Sequence, residues 1–101
     1  MIEAAQAAIR FVDSRVRKDL DSDEMLRFAL VRAVDIVGEA ASQVSPATRS
    51  MLQHIPWSLI IGTRNRLIHA YFDVNPDILW TTAVEALPTL VKQLESVGLP
   101  D

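Results

Sequence analysis

Residues 62–72 read GTRNRLIHAYF and follow the apolar run IPWSLII. Within two helical turns the chain admits Arg64, Asn65, Arg66, His69 and Tyr71. Histidine is the side chain whose ordinary pKa suits proton transfer near neutrality. Arginine grips phosphate and stabilises charge that develops on it. Asn65 can orient a substrate or an imidazole through either end of its amide, and Tyr71 adds a phenolic hydroxyl. Arg plus His without a set of carboxylates suggests phosphoryl chemistry that needs no metal. In RNA the 2′-hydroxyl can serve as the internal nucleophile. A base for its proton, an acid for the leaving oxygen and a cation for the phosphorane then suffice. Two histidines and Asp73 make a thin ligand set, so no metal site and no cofactor is expected. The blander alternative stays open: a histidine near a helix end is often structural, and surface arginines are often merely solvated.

Spacing raises a difficulty. At roughly 100° per residue, Gly62, Asn65 and His69 share one stripe of a helix. Arg64 and Tyr71, seven apart, nearly eclipse each other. Arg64 and His69, five apart, are separated by roughly 140°. Three devices could bring them together: a curled arginine, a distorted helix end, or a second copy of the helix across a two-fold axis.

The elements that must carry these residues are helical throughout, since glycine is scarce and strand-like alternation is absent. Ile2, Ala5, Ile9, Val12 and Val16 mark a first helix ending near Lys18. The segment DLDSD breaks it and supplies N-caps for a second helix, from about Asp23 to Gln43. Met25, Phe28, Ala29, Ala33, Ile36, Val37 and Ala40 are expected as its core stripe, and Gly38 is read as permitting close packing. Ser45 and Pro46 open a short helix or turn over 46–53. Pro56 starts a third main helix, with Trp57, Ile60, Ile61, Leu67 and Ile68 as candidate core and DVNPD ending it. Asn75 and Pro76 open a fourth, which runs to about Val97 before Gly98. Its core set is Ile78, Leu79, Val84, Leu87, Leu90, Val91 and Leu94, and Pro88 should kink it. Trp57 and Trp80 are expected as core anchors, and His54 as a loop or capping residue. The architecture expected is a single all-α domain over 1–101, an up-and-down bundle of four to five helices with short connections. Exposed apolar surface on so small a bundle favours a two-fold homodimer.

Composition bounds the rest. The 101 residues are half apolar and 23% charged, which fits a folded globule. Without cysteine there is no disulfide or thiolate site. No apolar run is long enough to span a bilayer and AAQAAI makes a poor signal peptide, so a cytoplasmic protein is expected. The net charge of −3 argues against nucleic acid, but its distribution does not. No acid lies between Glu39 and Asp73, a stretch that holds Arg49, Arg64, Arg66, His54 and His69. A locally basic segment on an acidic chain can still attract phosphate.

The stretch RNRLIHAY resembles the signature of the HEPN superfamily: Arg, a polar residue, several variable residues, then His. The fuller spacing Arg64-x4-His69-x-Tyr71 resembles the HepT-like family. The segments AVDIVGEAA (33–41), IPWSLIIGTRNRLIHAYFDVNPDILW (55–80) and ALPTLV (86–91) resemble that family in the same order. The resemblance implies a helical dimer with both motifs facing a shared cleft, which would overcome the angular separation. It implies a metal-independent endoribonuclease, the toxin of a toxin–antitoxin pair, with Arg64 and His69 as the catalytic pair. Asn65 matches the polar position after the arginine, and Arg66, at a variable position, is expected to contact RNA backbone. The implied antitoxin is a minimal nucleotidyltransferase of the MntA type, which transfers AMP to the motif tyrosine, here Tyr71. A catalytically inactive interaction or nucleotide-binding subunit that partners a nucleotidyltransferase is the alternative.

Overall fold

The computed structural model describes residues 1–69 and 75–97, with Ile68 and His69 described through their backbone. All regular structure among these residues is helical. In chain order the helices are α1 (Ile2–Val12), α2 (Asp19–Ser22), α3 (Glu24–Ser42), α4 (Pro46–Met51), α5 (Trp57–His69), α6 (Pro76–Thr81) and α7 (Leu87–Val97). A π-helical turn, Thr82–Ala86, joins α6 to α7. Three long pieces and the continuous α6–α7 rod make the bundle, and α2 and α4 are short connectors.

Local chemistry sets the boundaries. Asp23 caps α3 by accepting the Leu26 N–H at 3.0 Å. Ser45 caps α4 by accepting from Thr48, with Pro46 in the first turn. Asn75 does the same for α6, accepting from Asp77 and Ile78 ahead of Pro76. The far end of α3 is closed by a side chain: Arg49 donates to the carbonyls of Ala41, Ser42 and Val44. Those carbonyls lie where the regular helical ladder stops, and Ala41 O also accepts the Val44 N–H at 3.2 Å. Arg49 therefore serves packing and not the basic segment it belongs to in sequence.

Two boundaries differ from expectation. The first helix stops at Val12, well before Lys18, because Asp13 is extended and Ser14 takes a left-handed backbone at φ 62°. Val16 consequently lies outside it and is exposed. The segment DLDS, expected only as a break, winds into α2 and buries Leu20. In the C-terminal rod, the proline at 88 lacks an N–H and its ring crowds the carbonyl four residues earlier. The rod meets this with the π turn: the Leu87 N–H reaches back five residues to Thr82 O. The expected disturbance at Pro88 is thus a widened turn on its N-terminal side.

The core is formed by α1, α3, α5 and α6–α7 around Ala5, Ala8, Leu30, Val37, Leu79 and Leu94, all nearly inaccessible. Trp57 is buried, its indole N–H bonded to Leu52 O at 3.1 Å, and Trp80 packs on the core half-buried. His54 is exposed in the α4–α5 connection, where its carbonyl accepts from Gln93 at 3.0 Å. The stripe expected on α3 was off by about one residue. Leu26, Leu30, Ala33, Val34, Val37 and Ala41 face inward. Met25, Phe28 and Ile36 are 81%, 52% and 38% exposed, so they are not core. One residue is 100° of rotation, and α3 is apolar around so much of its circumference that spacing alone does not choose the inner face. Among the described residues α5 packs most extensively on α3. At their crossing the aliphatic stem of Arg64 lies directly on Gly38: a methyl group there would coincide with Arg64 Cβ and Cγ. Gly62, by contrast, has open space where a Cβ would go, among the described residues.

Two predictions follow from these elements. Gly38→Ala must part α3 from α5 at a backbone-proximal contact, an overpacking that costs roughly 1–3 kcal/mol and outweighs the gain in helix propensity. Gly62→Ala gains that propensity, up to about 1 kcal/mol, without the clash. Urea midpoints should therefore fall for the first and hold or rise for the second; equal shifts would refute the crossing. The second prediction concerns pH. Hydrogen bonding from Leu26, and after it from Arg15 at 3.2 Å, holds the Asp23 carboxyl below its ordinary 3.8. A lowered folded pKa means stability that is present above 3.8 and lost as pH falls through the folded value. Asp23→Asn keeps the cap and removes the charge. Wild type should melt above this variant near neutral pH, and the difference should shrink as pH falls below 3.8 and through the folded value.

Candidate functional site

α5 carries the polar cluster, and α3 supplies what it leans on. Glycine at 38 leaves the surface low enough for the Arg64 stem to cross α3 at the helix contact, where a Cβ would meet Arg64 Cβ and Cγ. Having crossed, the guanidinium donates through Nε to Asp35 Oδ1 at 3.0 Å. Asp35 precedes Gly38 by three residues, hence lies on the same face of α3 one turn away. A second donor, Nη1, bonds Asn65 Oδ1 at 3.0 Å. The guanidinium is thereby fixed from two directions. Of its five N–H groups two are engaged, leaving three directed at no described residue.

Asp35 also accepts from Arg32. Its Oδ2 receives Arg32 Nη1 at 2.7 Å, while Oδ1 serves Arg64. Side-chain exposure runs from 17% at Asp35 through 30% at Arg64 to 68% at Arg32. The carboxylate is shielded, and the two cations it holds reach progressively further into solvent. Two guanidiniums and one carboxylate leave a net positive charge suited to an anion.

The sequence-predicted residues are distributed as follows. Arg64 and Asn65 are brought together. His69 ends α5 five residues beyond Arg64, placed here by its backbone alone; Tyr71 lies outside the described residues. Arg66 is exposed, about 200° around α5 from Arg64 by helical spacing, and does not join the cluster. It lines a different feature, a largely apolar groove of about 410 Å³ between α5 and the α6–α7 rod, with Val34, Val37, Leu87 and Leu90 among its walls. Asp35 and Arg32 were missed by the sequence reading. The signal was present: an acid one turn before a glycine inside a helix, with an arginine one turn before the acid.

Chemically, this is an arginine held by two hydrogen bonds, with three donors that bond no described residue, on the helix that ends in His69. Comparison with known proteins places the chain in a family. The sequence profile of the family described as Ribonuclease HepT-like matches residues 1–97. "Putative RNase MJ1380" of Methanocaldococcus jannaschii is 32% identical over 96% of this chain and 89% of its own length. "Putative RNase TTE0752" of Caldanaerobacter subterraneus is 38% identical over 79% of this chain and 71% of its own. "Probable ribonuclease HepT" of Thermococcus cleftensis is 32% identical over 95% of this chain and 91% of its own. No solved structure matches significantly. With residues 1–97 matched, the chain belongs to the ribonuclease HepT-like family of the HEPN superfamily.

Proposed function

We propose that the protein is a metal-independent endoribonuclease that cleaves through Arg64 and His69. The observation that carries this reading is the fixed guanidinium: Arg64, held by Asp35 and Asn65, keeps three donors that bond no described residue, on a chain of the ribonuclease HepT-like family. In the proposed reaction the RNA 2′-oxygen attacks the adjacent phosphorus and the P–O5′ bond breaks. The 2′-hydroxyl proton goes to a base, and a proton is delivered to O5′. The products are a 2′,3′-cyclic phosphate and a 5′-hydroxyl. Arginine does not release its proton in proteins, so Arg64 supplies charge to the phosphorane and His69 moves protons. Two copies of the chain around a two-fold axis would supply two imidazoles, one as base and one as acid, and would overcome the angular separation along α5. Apolar Met25, Phe28 and Ile36, left exposed on α3, support such an association. Arg66 is assigned a contact to RNA backbone away from the scissile phosphate.

The same reading makes the protein the toxin of a type VII-like toxin–antitoxin pair, its antitoxin a nucleotidyltransferase of the MntA type that transfers AMP to Tyr71. What supports this is the family and the position of Tyr71 two residues after His69. A bulky anion there would compete with the substrate phosphate near Arg64 and repel RNA.

Purified protein should cut a mixed RNA substrate in EDTA, and His69→Ala should lose cleavage by at least ~10²-fold, the scale of a removed acid–base group. Its thermal midpoint and oligomeric state should not change. If neither form cuts, and mass spectrometry shows Tyr71 unmodified, the nuclease reading is wrong and the chain is an inactive subunit that holds a nucleotidyltransferase.

A further inference from the structure

We propose that Arg32 is a second phosphate-binding residue of this site, held in place by the same carboxylate that positions Arg64. The inference rests on the ribonuclease reading above and extends its substrate track from α5 onto α3. An isolated pair of the i, i+3 kind on a helix surface would carry no such weight. This pair differs because its acid is already committed. Asp35 spends Oδ1 on Arg64 at 3.0 Å and Oδ2 on Arg32 at 2.7 Å. One shielded negative charge thus anchors two positive ones. Among the described residues Arg32 is tethered through one Nη1 hydrogen bond only, so its other donors stay available at 68% side-chain exposure.

Geometry also sets the direction of the track. Arg32, Asp35 and Gly38 succeed one another at single-turn spacing along α3, and Arg64 crosses at the Gly38 end. A strand whose scissile phosphate meets the Arg64 donors would pass its next phosphate toward Arg32. The groove beside Arg66 opens on the other side of the α3–α5 contact, since Val34 and Val37 line it while Asp35 faces away from them around α3. The track proposed here is therefore separate from that groove. Asp35 touches no substrate in this arrangement; it is a positioning residue that sets the spacing of two guanidiniums.

The test uses the intact chain carrying His69→Ala, which binds without cutting, and a fluorescent single-stranded RNA titrated across a salt series. Adding Arg32→Ala should weaken binding several-fold and reduce the slope of log K against log salt by about 0.7, the value for one lost contact to a single strand. Arg32→Lys should restore the slope. In the cleaving protein, Arg32→Ala should raise KM at unchanged kcat, whereas Asp35→Asn should lower kcat, with Asp35→Glu recovering part of it. An unchanged salt slope and KM in Arg32→Ala, with wild type still cutting, overturns the inference and leaves the nuclease standing. A reduced slope in a protein whose wild type never cuts supports the phosphate site and defeats the nuclease. No binding of RNA by any form overturns the inference.

Discussion

The crossing of Arg64 over Gly38 is the constraint on which the site depends. A charged side chain seldom lies in a helix–helix contact, because desolvation penalises it unless its donors are met. Here the aliphatic stem takes the packing role and the guanidinium emerges where Asp35 and Asn65 meet it. No side chain larger than hydrogen fits at position 38, so the same residue that brings α3 and α5 together also decides where the cation emerges. Packing and electrostatics are fixed by one contact.

The remaining elements hold that crossing. Asp23 starts α3 and Arg49 closes its end, so the helix presenting Asp35 and Gly38 is terminated by bonded side chains at both ends. α1 backs α3 and α7, and buried Trp57 anchors the start of α5 near Leu52. The π turn before Pro88 lets the C-terminal rod continue past a residue that would otherwise break its ladder. Apolar burial supplies the rigidity, while the charged cluster of Arg32, Asp35 and Arg64 sits at the margin, its side chains between a sixth and two-thirds exposed.

Much of this was legible in the sequence where the signal is local. Ser45-Pro46 and Asn75-Pro76 read directly as caps, because a capping oxygen followed by proline has few other uses. Gly38 read as a close-packing position, and so it is. What failed was rotational or long-range. The inner face of α3 was assigned one residue out, since Met25, Phe28 and Ile36 mimic a core stripe and only α1 and α5 decide between the faces. α1 ended early because Ser14 adopts a left-handed backbone that serine tolerates without advertising. Asp35 escaped notice because its partner stands 29 positions away. Arg49 counted toward a basic segment in sequence but is spent on carbonyls in space. The Arg-x4-His spacing carried no sign of the carboxylate that holds the arginine.

That carboxylate gives the account its most direct test. The Nε–H of Arg64 should be visible by 15N-edited NMR near neutral pH as a slowly exchanging signal, distinct from that of exposed Arg66. It should persist in Arg32→Ala and vanish into the rapidly exchanging pool in Asp35→Ala. An Arg64 signal in the wild-type protein that exchanges as fast as Arg66, or that is indifferent to loss of Asp35, would contradict a guanidinium fixed across Gly38.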